Sequence, residues 1–330
     1  MPRPFVYVSA VLLGIVAFWY LLAAPSDESP TMGSAPAATY DYQSVTGFFQ
    51  QDEPNTDPES YDYSKNNFGL IDRPYETDGQ LGNDPGRQST QWQRFETYLH
   101  HLNAEASPGT HYILIIAGRH GQGFHNVAED FYGTKAWDDY WAALDGNGTI
   151  TWSDAHLTDL GKEQALEANA FWGQQLGWAG MPAPTSYYVS PLYRCLQTAN
   201  LTFSGLKLPK EKPFSPTIKE MLREVMGVHT CDRRSTRGYI HDAFPDWAIE
   251  PGFAEGDELW RADHRETWDE HDVRTKMLLD DVFNNDDSTV VSFTAHSGAI
   301  ASLLRVTGHR TFKLPTGSLM PVFVKGVKSS

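Results

Sequence analysis

Three short stretches carry residues able to do chemistry, and each directly follows an apolar run. They are Arg119-His120-Gly121, Ser190-Pro191-Leu192-Tyr193-Arg194 and Ala295-His296-Ser297-Gly298. Guanidinium forks match the oxygens of a phosphate, and the start of a helix offers free backbone N–H groups for another oxygen. An imidazole can attack phosphorus and hold the phosphoryl group covalently. The transition state spreads negative charge over its oxygens, so fixed positive groups carry most of the catalysis. One histidine after a strand is ordinarily a satisfied surface or core side chain, and one arginine an ordinary helix cation. Two of each at three successive strand ends make that reading poor.

Those ends need strands to place them. His111–Ala117 is a short apolar run bounded by Pro-Gly and by Gly118, which predicts a buried strand. Ser186–Val189 predicts a second strand, leading into a helix from Pro191, where proline suits a first turn. Thr289–Thr294 predicts a third, followed by a helix over Gly298–Val306, and Met320–Val324 a last one. Helical spacing over Thr90–Leu102 and over Leu157–Leu176 fills the intervals. Strands alternating with helices predict an α/β fold with a parallel-rich sheet covered by helices on both faces, its ligands bound beyond the carboxyl ends of the strands. Arg237–Leu259 fits neither period and reads as a functional loop or cap.

The rest of the chain sets the context. Among 330 residues, 26 Lys and Arg face 42 Asp and Glu, a formal charge of −16, which disfavours nucleic acid and anionic membranes as partners. Two cysteines exclude a disulfide scaffold; Cys195 and Cys231 either pair or remain thiols. No His/Cys/Asp/Glu spacing suggests a metal site, and His125, His229 and His241 are too irregularly spaced to make one. Phe5–Ala24 is an uncharged run of 20 residues with Arg3 before it and Asp27 and Glu28 after it. It is long enough to span a bilayer, with its short amino end cytoplasmic. A signal anchor and a cleaved signal peptide both fit, and either sends the chain into the secretory pathway. The sequons at Asn147 and Asn200 agree with that route, Asn147 in a turn and Asn200 in an expected helix. Residues 25–87 hold 12 acidic and three basic side chains. They read as an acidic tether, followed by an irregular arm on the surface of a catalytic domain over 88–330.

The motifs together resemble the histidine phosphatase superfamily, the phosphoglycerate mutase-like fold. Arg119-His120-Gly121 is similar to its signature, Asn126 to its phosphate-contacting asparagine, and Asp154, Leu157-Thr158, Gly161 and Gln164-Ala165 to its helix-opening motif. Ser190–Arg194 resembles its second-arginine motif, Leu222-Arg223-Glu224 with Gly227 the site of its acid, and Ala295–Gly298 its second histidine. The likeness covers roughly 112–324. It is strongest to fungal phosphomutase-like proteins around Gly227–Arg234.

The resemblance implies a three-layer sheet and a metal- and cofactor-independent enzyme acting on a small phosphorylated substrate. His120 would be the nucleophile, with Arg119, Arg194 and His296 around the phosphoryl group. Asn126, Gly121, Ser297 and His229 would contact substrate, His125 sitting with His229 at the pocket rim. The acid-phosphatase branch carries an Asp directly after the second histidine, whereas Ser297 follows His296 here. The proton donor is therefore expected to be Glu224, with Glu220 and Glu129 as rivals. Hydrolysis is expected over phosphomutase activity, and a catalytically inactive binding protein is disfavoured because no site residue is missing. Arg233, Arg234 and Arg237 stand equally for anion contacts or a basic turn. Tyr239, Phe244 and Trp247 stand for a substrate wall or for loop packing. Substrate identity and oligomeric state stay open.

Overall fold

Alternating apolar residues in the strand Thr110–Arg119 (β2) explain the layering. Leu114 and Ile116 join one buried cluster, while Ile113, Ile115 and Ala117 join another. Successive strand residues point to opposite faces, so a strand apolar at every position must be covered on both. In this computed structural model, which describes residues 38–80 and 89–329, helices do the covering. Gln91–Ala104 (α1), Asp159–Gln174 (α4) and Tyr193–Phe203 (α5) pack on one face. Trp268–Asn285 (α7) and Ser297–Val306 (α8) pack on the other. Phe124–Tyr132 (α2), Thr134–Asp139 (α3) and Arg237–Ala243 (α6) lie in the connections.

The remaining strands are Tyr40–Ser44 (β1), Ser186–Val189 (β3), Pro216–Ile218 (β4), Ala248–Ile249 (β5), Val290–Ala295 (β6) and Leu319–Lys328 (β7). The sheet order is β1-β7-β2-β6-β3-β4-β5. The five strands from β2 to β5 run parallel, as expected. The other edge does not: β7 is antiparallel to β2, and β1 to β7. The sheet is therefore mixed.

Three expectations are corrected. Residues 40–80 are no surface arm: β1 closes the sheet, and Phe48, Phe49, Phe68 and Leu70 are buried against Trp92 and Phe95 of α1. Side chains that large are stabilised only by leaving water, and the acidic residues between them hide the pattern. The compact unit thus begins well before residue 88. Arg237–Leu259 is not irregular throughout, since it holds α6 and the two-residue edge strand β5. Pro191 lies outside the helix it was expected to start, which begins at Tyr193 with Leu192 as its cap. The apolar run 5–24 and the tether at 25–37 lie outside the described residues. Among the described residues, no helix is long and apolar enough to cross a membrane.

Candidate active site

Parallel strands bring their carboxyl ends to one edge, and backbone hydrogen bonds fix those ends together. His120 N–H donates to the Ala295 carbonyl at 3.0 Å, and Ser190 N–H to that of Thr294 at 3.1 Å. The loop after β2 is pressed onto the first turn of α4. A Cβ at Gly121 would stand 2.2 Å from the Gly161 carbonyl oxygen, so both glycines are required for this approach. Gly121 N–H donates to Thr198 Oγ1 at 3.0 Å, tying the loop to α5.

His120 is buried, and its Nδ1 lies 2.7 Å from the Gly121 carbonyl oxygen. A carbonyl only accepts, so Nδ1 carries the proton and Nε2 keeps its lone pair. Burial, then Arg194 and Arg119, hold its pKa well below the usual histidine range. The ring is neutral with a free Nε2. His296 lies with its ring centre 5.1 Å away, also buried and held neutral by burial and by Arg194. Its Nε2 is 2.8 Å from Ser190 Oγ and 3.3 Å from Cys195 Sγ.

The two arginines are held differently. Arg194 is fully buried; it donates from Nη1 to the Cys231 carbonyl at 2.5 Å and from Nη2 to Asp232 Oδ1 at 2.8 Å. Asp232 also accepts from Arg265 at 2.9 Å. Burial opposes its charge, but Arg265 and Arg194 outweigh that and pull its pKa down. Among the described residues Arg119 has no carboxylate partner, its one hydrogen bond being from Nη1 to the Leu314 carbonyl at 2.7 Å. The Nε atoms of both Arg119 and Arg194 are enclosed without a partner. Unpaired donors beside a neutral imidazole suit an anion.

Glu224 meets the start of α8. One oxygen accepts from Gly298 N–H at 3.0 Å and from the Ser297 hydroxyl at 3.3 Å; the other accepts from Val225 N–H at 2.9 Å. A Cβ at Gly298 would sit 1.9 Å from Glu224 Oε1, so only glycine lets the carboxyl in. Arg274 of α7 grips the backbone beneath, donating to the Met221, Arg223 and Glu224 carbonyls. The rivals are placed otherwise. Glu220 is spent on Arg223 and Arg234, and Glu129 accepts from Thr134.

Other expected contacts are less direct. Asn126 Oδ1 accepts from Gly123 N–H at 3.0 Å, capping its own helix. Ser297 turns its hydroxyl to Glu224. His229 lies 3.6 Å from Asp138, and its carbonyl accepts from Trp260 Nε1. His125 is not a rim residue but a buried one, its ring centre 5.3 Å from that of His120. Arg233 pairs with Asp145 and Arg234 with Glu220, while Arg237 is exposed. Phe244 packs against Tyr193 and Trp247 against Phe214 and Phe244, leaving only Tyr239 of that trio exposed. Cys195 and Cys231 are both free and buried. Cys231 with His229 and Asp232 forms a cluster tight enough for an ion, yet Asp232 is committed to two guanidinium groups and burial keeps the Cys231 thiol protonated. Asn147 is exposed in its turn and Asn200 exposed on α5.

Asp232, Arg265 and Arg274 were not singled out from sequence. The one available signal was for Asp232, which lies within Gly227–Arg234, where a polar side chain must find partners if buried. Arg265 and Arg274 are remote in the chain from Leu222-Arg223-Glu224. Asp154, expected at the opening of α4, instead caps α5. It accepts from Tyr193 N–H at 2.8 Å and from the Ser235 hydroxyl at 2.6 Å.

The profile of the "Histidine phosphatase superfamily (branch 1)" matches residues 141–318, more than half of the chain. A protein of Arthroderma benhamiae named "Probable phosphoglycerate mutase" is 51% identical over 316 residues, 96% of this chain and 92% of its own. The chain belongs to the histidine phosphatase superfamily. "Phosphomutase-like protein 3" of Candida albicans is 35% identical over 285 residues, covering 86% of this chain and 79% of that one. Among solved structures, a phosphoglycerate mutase from Thermus thermophilus aligns over 63% of this chain and 92% of its own, at 18% identity and a TM-score of 0.34. Within this superfamily, the fungal resemblance expected from Gly227–Arg234 agrees with the two fungal relatives.

Proposed function

We propose that the protein is a phosphatase that hydrolyses a phosphate monoester through a phosphohistidine. One observation carries the reading: Gly121 holds the proton on His120 Nδ1, leaving a neutral Nε2 beside unpaired arginine donors. Nε2 attacks phosphorus, the N–P bond forms, and the P–O bond to the alcohol breaks. Glu224 gives its proton to the leaving oxygen, then takes one from water as that water attacks phosphorus and the N–P bond breaks. Arg119, Arg194 and His296 stabilise the oxygens that gain charge. Ser297 and Gly298 keep the Glu224 carboxyl aimed.

The charge available to a ligand favours hydrolysis. A phosphomutase has to hold a second anionic group while the product turns over. The buried arginines near the site, Arg223, Arg234 and Arg274, are each bonded to carboxylates, as is the half-buried Arg265. A second reading, phosphomutase, is favoured by the name of the 51% identical relative. Phosphate released from an aryl phosphate, with no isomerisation of phosphoglycerate, is the expected result. His120→Ala is expected to abolish both phosphoenzyme and turnover, and a variant that still turns over would refute the assignment.

Entry into the secretory pathway through residues 5–24 belongs to the same proposal and rests on their length and flanking charge. The full chain expressed in a eukaryotic cell is expected to reside in that pathway. Full-length protein recovered only from cytosol would end the idea.

A further inference from the structure

His125 is a buried titratable group that the reaction above leaves unused. Its side chain is 9% exposed, one turn of chain beyond Gly121 at the start of α2. The ring lies 5.3 Å from His120 between centres, so the nucleophile has two imidazole neighbours, His125 and His296. Burial, with Arg194, His120 and Arg119 of the strand ends and with His229, keeps the ring neutral.

A neutral imidazole has one proton to place. Nδ1 is enclosed and meets no hydrogen-bond partner. It lies against the backbone of Gly123, where a Cβ would stand 2.7 Å from Nδ1 and 2.8 Å from Cε1. An N–H buried there would have no acceptor, which is the costlier way to leave a ring nitrogen unpaired. The proton therefore sits on Nε2, the ring nitrogen farther from Gly123. Gly123 itself has φ −100°, a value open to any residue, so its backbone does not require glycine. What it allows is the approach of this ring.

What sets His125 apart from a histidine that only packs is its place, with its ring centre 5.3 Å from that of His120. With Nδ1 orphaned, Nε2 is the nitrogen left to donate, on a ring that neighbours His120. We propose that His125 is a further catalytic residue, donating Nε2–H to an oxygen of the phosphoryl group held at His120. The inference rests on the phosphohistidine reading for the identity of the ligand. Being neutral, His125 adds a hydrogen bond to an oxygen that gains charge, without adding to the positive charge already concentrated by the two arginines.

The test uses the full chain and three variants, with an aryl phosphate as substrate and orthovanadate as a binding probe. His125→Phe fills the space without a donor and is expected to lower kcat/KM about 100-fold, the scale of one donor to a developing oxyanion. It should weaken orthovanadate binding in parallel. His125→Gln carries an amide N–H near the Nε2 position and is expected to recover most of both losses at an equal Tm. Gly123→Ala keeps the imidazole but displaces it, and should shift both readouts toward the Phe variant. If His125→Phe does not fold, the Gln and Gly123→Ala variants carry the comparison. Wild-type kcat/KM and orthovanadate affinity in the Phe variant, or no advantage of Gln over Phe, would overturn the proposal. Failure of the wild-type protein to form a phosphoenzyme would instead sink the reaction, while orthovanadate affinity would still report on His125.

Discussion

Arginine does opposite work in two neighbouring regions of this molecule. At the strand ends, Arg119 has no carboxylate partner among the described residues and keeps an Nε unpaired among them. In the overlying segment 220–274, Arg234 is more deeply buried and is satisfied at every nitrogen. It donates from Nε to Glu220 and from its Nη atoms to the carbonyls of Ser235, Ala254 and Gly256. Arg274 is likewise matched by Glu266 and by three carbonyls. The residue type is the same; the depth of burial and the supply of acceptors differ. A buried guanidinium surrounded by acceptors is a structural brace, whereas one left short of them attracts an anion.

The first way to break this comparison is to remove a brace. Arg234→Leu leaves Glu220 buried with only Arg223 opposite it. Removing one partner of a buried pair typically costs about 3–5 kcal/mol, so urea unfolding should show a loss of that size. A loss below about 1 kcal/mol would mean that the segment is not braced by charge. Arg119→Ala is the converse. It should lower kcat/KM by about 10²–10³-fold, or roughly 2.7–4 kcal/mol of transition-state stabilisation. Tm should hardly move, since among the described residues the one bond lost is to the Leu314 carbonyl. A Tm that collapses with activity would erase the distinction between the two regions.

The same contrast explains what could be read from the sequence. The strand ends were legible because each motif is contiguous: the apolar run dictates the strand, and the next residues occupy its carboxyl end. Ser186–Val189 was placed to the residue, and Arg119, His120, Arg194 and His296 meet at one edge. The braces were not legible, because their partners are remote in the chain. Arg194 meets Asp232, and Glu224 is supported by Arg274, 50 residues on. No local period encodes such a pairing. The edge strand β1 escaped for a related reason: five residues of mixed polarity become a strand only when β7 offers them a partner. Asn126 was found by resemblance, yet its oxygen caps a helix, a local use that a motif cannot distinguish from a ligand contact.

Positive charge acts on the histidines even where it is matched by acid, and this gives the smallest but sharpest effect. His271 on α7 is fully buried with neither ring nitrogen paired. Burial, then Arg274, Arg305 and Arg265, depress its pKa to about 2. His120, His125 and His296 are lowered in the same direction. In the unfolded chain these rings take up protons as pH falls through about 6.5, while in the folded chain they do not. Unfolding therefore binds protons, and stability must fall on acidification below that value, by up to about 1.4 kcal/mol per pH unit for each ring. His271→Phe removes one of these groups without touching the strand ends. Unfolding curves at about pH 7 and about pH 5 should show its stability falling less steeply than wild type, by roughly one proton's worth of slope. The two slopes staying equal would place His271 in contact with water or with an acceptor, and the positive field of the braced arginines would then end short of α7.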